Sequence, residues 1–560
     1  MLYSIANTLW FLLSLPKSLA FYQTLDDVAG SQQHYLLQLL RRNANTEFGR
    51  RYDFASIRSV AEYQTRVPLS TYKDYQQAIR QISHGQQGVL TQEPVLLLEQ
   101  TSGSTAATKL IPYTASLKAE FQRAIAPWIV DLFHHDPRLL LGQAYWSVTP
   151  VTQHNERTPA GIPIGFEEDS EYFGLIQHHF IQAIQSVPPL VRLIDPMETF
   201  RYVTLLFLLR SRSLALISVW NPTFLTLLVE PLPEWWSQLA DDIAHGTLSP
   251  PVPLPSDLQA ALGAMNRPHP RRASEIRTIF QTHTDPGAIH TQLWPCLRLI
   301  SCWTEAQAGL YASELTRLFP QVRLQGKGLL ATEGVVSFPL ISQPGAVLAL
   351  RSHFFEFLPA AGTATNSRPL LAHELGTGGC YEVVLTTGGG LYRYQLHDLV
   401  EVVGYLKNCP LLHFVGKTAH ISDHFGEKLN ERHVQQALEV LLKRYNLQPT
   451  FAMLACETEI KPPAYILFIE TQDACDEVLH QLGIDLETAL QENFHYRYCR
   501  DLGQLDALRV FRINNGAMAA YLATCQVHGQ RAGDIKPVTL HRLGGWSEVF
   551  RGRMITKLRM

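Results

Sequence analysis

From Gln143 to Glu230 short apolar strand-like runs alternate with helical ones, and this alternation limits the available folds more than any other feature. It calls for sheet and helix in layers, a mixed α/β body. Upstream, Ser31 to Arg42 and Tyr75 to Ile82 carry apolar residues at helical spacing. Val89-Leu90 and Val95 to Leu98 are strand-like, and a helix is expected from about Ser116 to His134. Downstream, strand candidates follow closely: Leu297 to Cys302, Gln321 to Leu324, Val335 to Leu340, Val347 to Leu350, Tyr381 to Thr386, Leu391 to Tyr394 and Leu399 to Val403. A tight turn is expected at Gly388-Gly389-Gly390, and such spacing suggests antiparallel pairing or a β-barrel-like portion beside the α/β body. The proline-rich stretch Pro250 to Pro270 looks like a surface excursion.

A boundary is expected between Asn408 and Lys428. Beyond it come a helix from Glu431 to Tyr445, a strand from Ala464 to Glu470 and helices near Ala474 to Leu482 and Leu486 to Phe494. Val510 to Ile513 closes the set as a strand. This is the rhythm of a small α+β domain. The expected division is residues 1–415 and 416–560.

Composition narrows the class. The 560 residues include 47 basic and 50 acidic side chains, so no nucleic acid is expected as a partner. With 46% apolar residues a large core is possible, which excludes disorder and a disulfide scaffold. The eight cysteines form no C-x-x-C pair and suit reduced, buried thiols in a cytoplasmic protein. Met1 to Phe21 is apolar but lacks a positive n-region and a cleavage site. Leu9, Leu12 and Leu13, with Trp10 alongside, fit a helix that packs on the body rather than on a membrane. Val203 to Leu209 stops at Arg210 and Arg212, and Leu214 to Val229 is broken by Asn221-Pro222. Neither supplies the about 20 apolar residues a transmembrane helix needs.

Three motifs carry chemistry. Glu99 to Lys109 holds five hydroxyls, a glycine and a terminal amine in what reads as one strand-to-helix connection. Backbone N–H groups, hydroxyl donors and a cation are what triphosphate binding needs, although no Walker A pattern occurs. The same residues read equally as a Ser/Thr-rich turn with a helix cap. Thr332-Glu333 lies in a loop between strands, where the plain alternative is a solvated pair. Asp398, in Leu391 to Val400, follows one strand and precedes another, placing a carboxylate that can accept two ribose hydroxyls or simply close a turn.

Order and combination decide between these readings. A Ser/Thr/Gly loop, then Thr-Glu, then Tyr-Arg…Asp, then a small C-terminal domain resembles the adenylate-forming superfamily. More closely, the chain resembles a bacterial-type member of the auxin-responsive Gretchen Hagen 3 family of acyl acid amido synthetases. Lys109-Leu110-Ile111-Pro112 matches the segment after that family's phosphate loop, and Tyr392 to Val400 is similar to its Tyr-Arg-Tyr-Arg-Leu-Gly-Asp-Val-Val element. Phe414 to Lys417, Gly426 to Leu429 and Ile535-Lys536-Pro537 resemble later pieces. The likeness runs from about residue 35 to 545.

The resemblance implies a two-domain ligase that activates a hydrophobic or aromatic carboxylic acid with ATP and passes the acyl group to an amine, an amino acid by expectation. Thr101, Ser102, Gly103, Ser104 and Thr105 would cradle the β- and γ-phosphates. Thr332 and Glu333 would sit by the α-phosphate, with Glu333 holding Mg²⁺. Asp398 would take the ribose hydroxyls, with Lys417 and Lys428 also on the nucleotide. Lys536 would come in with a mobile C-terminal domain and stabilise charge on the carboxylate–phosphorus centre. A monomer or weak homodimer is expected.

The motifs also depart from the family. Leu329 stands where an aromatic commonly stacks on adenine, Gln395 where a second Arg is usual, His397 where a glycine precedes the ribose Asp, and Lys417 where Arg is usual. The nearest rival is adenylation followed by thioester formation with coenzyme A; the departures keep open another, a catalytically silent binder of acyl acid or nucleotide.

Overall fold

Helix α1 (Leu2–Thr24) buries Ala6, Asn7, Trp10, Ser14, Ser18 and Phe21. The side expected to pack is the one left outside: Leu9, Leu12 and Leu13 are 43%, 51% and 50% exposed. Asn7 decides the face. Its Nδ2 donates to the carbonyls of Leu139, Leu140 and Gly142 at 3.3, 3.3 and 2.9 Å. Small residues at 6, 14 and 18 let the backbone come close on that side, and Trp10 lies 6.1 Å from Trp146.

The structure is a computed structural model that describes residues 2–100, 109–146, 157–165, 183–305, 308–360, 368–417, 421–422, 424–472, 474–528, 530 and 535–555. The chain divides into two units. The first comprises Met1–Trp303, Ala312–Leu396 and Val400–Phe414; the second comprises Thr304–Tyr311, His397–Leu399 and Val415–Met560. Among the described residues no helix is long and apolar enough to cross a membrane.

In the first unit, α2 (Val28–Arg42) follows α1, and β1 (Leu97–Gln100) pairs antiparallel with β2 (Leu110–Tyr113). Helix α3 (Ala115–His135) comes next, its start capped by Thr114 Oγ1, which accepts from Leu117 N–H. Four parallel strands, β3 (Gln143–Trp146), β4 (Leu214–Ser218), β5 (Leu299–Ser301) and β6 (Arg323–Gln325), lie side by side in that order. One core gathers around this sheet and the helices Met197–Arg210, Leu232–His245 and Pro270–Thr282. Pro250 to Pro270 is not wholly an excursion: Ser256–Met265 is a helix and buries Leu262.

The strands β7 (Leu330–Ala331) and β8 (Gly334–Val335) form a hairpin. Then β9 (Ser337–Phe338), β10 (Ala346–Leu348), β11 (Phe354–Pro359), β12 (Leu370–Leu371), β13 (Cys380–Thr386), β14 (Tyr394–Leu406) and β15 (Cys409–Lys417) build a seven-stranded sheet in the order 12-11-13-14-15-10-9. Its pairs 9/10, 10/15, 11/12 and 11/13 are antiparallel. Strand β14 begins at Tyr394 rather than Leu391 because Arg393, at φ 50°, is off the extended path. Val89 and Leu90 are buried bends whose carbonyls accept from Phe48 N–H and Tyr392 Oη instead of a ladder.

The second unit carries β16 (Ile421–Ser422) against β17 (Leu429–Asn430), and a five-stranded sheet. Its strands β18 (Phe451–Glu457), β19 (Ala464–Glu470), β20 (Asp506–Ile513), β21 (Leu540–His541) and β22 (Gly552–Met554) run in the order 21-18-19-20-22. Two expected helices are one, Asp476–Leu490. The chain passes through Gly483 unbroken, and a Cβ there would stand 2.6 Å from Val510 Cγ2 of β20, so glycine serves packing rather than a break. All eight cysteines are free, but Cys296 and Cys475 are exposed rather than buried.

Candidate active site

Thr332 and Glu333 form the tip of the β7–β8 hairpin, with Ala331 opposite Gly334. Hydrogen bonds from two tyrosines hold that tip. Tyr113 Oη donates to the Thr332 carbonyl at 2.5 Å, and Tyr394 Oη donates to Glu333 Oε1 at 3.3 Å. Burial, and then the nearby Glu333 carboxylate, push the Tyr394 phenol far above its ordinary pKa, so it remains a neutral donor. Behind the tip, a Cβ on Gly334 would stand 2.5 Å from His353 Nε2.

The His353 ring is fixed in turn. Its Nε2 accepts from Val335 N–H at 3.0 Å, which leaves the proton on Nδ1, 2.9 Å from Glu120 Oε2. Glu120, on α3, also accepts from Tyr35 Oη at 2.6 Å and from Gly388 N–H at 3.0 Å. Helix α2, helix α3, the hairpin and the glycine turn therefore meet on one buried carboxylate.

The hydroxyl-rich segment Thr101, Ser102, Gly103, Ser104 and Thr105 lies outside the described residues. Its flanks correct one expectation. Gln100 pairs with Leu110, so the segment joins two strands of a hairpin, because Leu110–Tyr113 is taken up in pairing before α3 starts. At the far flank Lys109 Nζ sits 5.7 Å from the centre of the Tyr72 ring, whose Oη accepts from Leu110 N–H.

Arg393, in the Tyr-Arg-Tyr element, is a buried strut. Its Nε and Nη2 reach the Glu356 carboxylate at 3.0 and 2.9 Å, and its Nη1 donates to the carbonyls of Gln64 and Val67. Asp398, on β14, is buried, and its Oδ1 is 3.1 Å from Lys417 Nζ at the end of β15. His397 just before it has φ 62°, a left-handed position where a glycine would cost less. Leu329 packs half-buried on the core, and Gln395 N–H donates to the Ser70 carbonyl.

Lys428 is exposed at φ 43°, after Glu427, which accepts from His424 N–H, Phe425 N–H and Tyr465 Oη. Lys536 is exposed between buried Ile535 and Pro537, and its carbonyl accepts from Tyr521 Oη at 3.2 Å. The structure thus joins Thr332 with Glu333 and Asp398 with Lys417; Lys428 and Lys536 lie in irregular segments of the second unit.

Among the described residues no group of three or more His, Cys, Asp or Glu side chains gathers to hold a metal alone. Mg²⁺ is commonly held by one or two carboxylates together with substrate phosphates, and Glu333 offers one such oxygen. Sequence reasoning missed Tyr113, Tyr394, Glu120 and His353 as the hairpin's supports. Only Gly334, directly after Thr-Glu, signalled a close approach.

Comparison with known proteins adds to this geometry. The chain matches the models of the GH3 family N-terminal domain over residues 19–324, central domain over 346–417 and C-terminal domain over 431–542. It is similar to a probable indole-3-acetic acid-amido synthetase, GH3.7, of Oryza sativa subsp. japonica, 26% identical over 92% of this chain and 91% of that protein. A putative indole-3-acetic acid-amido synthetase, GH3.9, of Arabidopsis thaliana is 25% identical, covering 84% of each. Among solved structures, AtGH3.15 acyl acid amido synthetase in complex with 2,4-DB superposes with a TM-score of 0.82 at 20% identity, over 95% of both chains. At that identity the likeness establishes the mixed α/β fold.

Proposed function

The chain belongs to the GH3 family, and from that premise we propose that it is an ATP-dependent ligase joining a hydrophobic or aromatic carboxylic acid to an amine, an amino acid by preference. The acid's oxygen bonds to the α-phosphorus of ATP and pyrophosphate leaves. The amine then attacks the acyl carbon, loses a proton and expels AMP, leaving an amide. The observation that carries this reading is the braced tip at Thr332-Glu333, in a chain that matches all three domain models in order.

In this reading Thr101 to Thr105 bind the β- and γ-phosphates, and Thr332 and Glu333 face the α-phosphate. Asp398 accepts the ribose hydroxyls, with Lys417 and Lys428 on the nucleotide. Mg²⁺ at Glu333 would neutralise phosphate charge. Lys536 stabilises the charge that grows on the carboxylate–phosphorus centre; its exposed side chain between two buried neighbours suits a group offered to a ligand. Residues 1–415 are taken as the part binding ATP and acid, and 416–560 as the part that moves between half-reactions, in keeping with the division at Phe414 and Val415. The free cysteines support a cytoplasmic setting. We take the chain as a bacterial-type member of the family; the plant relatives that match 74% or more of it are 22–26% identical.

Product mass tests the transfer step. Incubation with ATP, Mg²⁺, a panel of aromatic, indolic and fatty acids and mixed amino acids should yield AMP and an N-acyl amino acid. An acyl-coenzyme A product in a parallel reaction, with no amide, would overturn the acceptor; AMP formation with no acid dependence would overturn the activity.

A further inference from the structure

Open α/β sheets take ligands at the carboxyl ends of their parallel strands. In β3–β6 the last row is Trp146, Ser218, Ser301 and Gln325, in register from strand to strand. Trp128 of α3 covers this row: its Nε1 donates to Gln325 Oε1 at 2.9 Å, and its ring meets that of Trp146 edge-on at 5.9 Å.

Two residues after β6, Lys327 reaches back across the sheet. Its Nζ donates to Ser218 Oγ at 2.6 Å and stands 5.2 Å from the centre of the Trp220 ring, which lies 5.4 Å from Trp303. Lys327 is 8% exposed, and among the described residues no carboxylate pairs with its ammonium. Burial draws its pKa down to about 8, opposed by the Cys302 thiol beside it. On the neighbouring strand Ser301 Oγ is fully buried and has no hydrogen-bond partner among the described residues. An ammonium without a counter-charge and a hydroxyl without a partner are both costly to bury. A carboxylate answers both, accepting from Lys327 and Ser301, while Ser218 keeps its own proton to donate.

We propose that this edge is a second carboxylate subsite, where Lys327, Ser218 and Ser301 hold an anionic group at the far end of an aromatic diacid substrate, an inference that rests on the adenylation reading only for which acid is activated. The spacing separates it from the reacting carboxyl. Gly328, at φ 71°, turns the chain into the hairpin, whose base is Leu329 N–H on Ser337 Oγ. The Thr332-Glu333 tip lies three residues beyond Leu329, roughly 10 Å at strand rise. An acid reacting at that tip would reach Lys327 only with a group on the far side of its body. The tryptophans around the row make the intervening body aromatic.

Calorimetry on the full chain without ATP tests the subsite, using matched probes: terephthalate against benzoate and a naphthalene dicarboxylate against naphthoate. The parent should prefer the longer diacid to its monoacid by about tenfold or more. Lys327→Met should erase that preference, and Ser301→Ala should reduce it severalfold with no loss of thermal stability, which a purely structural serine would not do. Should Lys327→Met fail to fold, Ser301→Ala carries the test alone. Equal binding of diacid and monoacid, no binding of any of the four acids, or a preference unchanged in both variants would overturn the subsite. A diacid preference without pyrophosphate release would leave the subsite standing and remove the adenylation reading. Release with monoacids alone, and no diacid preference, would do the reverse.

Discussion

Glu120 and Lys327 are both buried charges of the N-terminal unit, and their surroundings differ in kind. Glu120 accepts from Tyr35, His353 and Gly388, three donors drawn from distant parts of the chain. Lys327 has a serine, an aromatic face and a thiol nearby, and no carboxylate among the described residues. The first environment is complete as it stands and serves to hold the hairpin; the second is completed by a ligand. A buried charge is therefore informative about function only after its partners are counted.

The sharpest way to break this contrast is Glu120→Ala. It strands three buried donors and should cost about 3–5 kcal/mol in urea denaturation; an unchanged midpoint would mean the cluster holds nothing. Lys327 should behave oppositely. Its pKa falls from 10.5 unfolded to about 8 folded. Below about pH 8 the folded protein bears the full penalty of the buried ammonium. Between pH 8 and 10.5 the unfolded chain keeps a proton that the folded one has shed, so this group makes stability rise with pH. Lys327→Met should thus be the more stable form below pH 8, with the parent closing the gap by up to about 3 kcal/mol as pH rises. A gap that stays flat across this range would mean the ammonium is solvated or paired. Smaller still, Gly334→Ala forces a methyl into the pinned His353 ring and should cost about 1–3 kcal/mol. It should also slow acid-dependent pyrophosphate release by displacing Glu333; full activity would show that the bracing is irrelevant to the tip.

Much of the architecture was legible because local pattern and tertiary outcome agree. Helical spacing marked Ser31 to Arg42, and an apolar run marked Ala464–Glu470. Legibility failed where a distant partner decides. Nothing near α1 shows that Asn7 will meet the carbonyls of Leu139 to Gly142, so the leucine side looked like the packing side. The continuity of Asp476–Leu490 was missed because Val510, which needs the space at Gly483, is 27 residues away. At the site, Thr332, Glu333 and Asp398 stood out through motif order. Tyr113 and His353 could not, since each meets the hairpin only through the fold. Lys327 had no signal in the sequence, because Ser218, 109 residues earlier, comes beside it only through the fold.

Carboxylate-dependent pyrophosphate release from ATP, measured for the parent, Glu333→Ala and Lys536→Ala across one acid panel, decides whether this chain adenylates acids. Release is expected with at least one aromatic or hydrophobic acid, and its loss in both variants, each still binding ATP. Release that needs no acid, or that survives both substitutions unchanged, would contradict it.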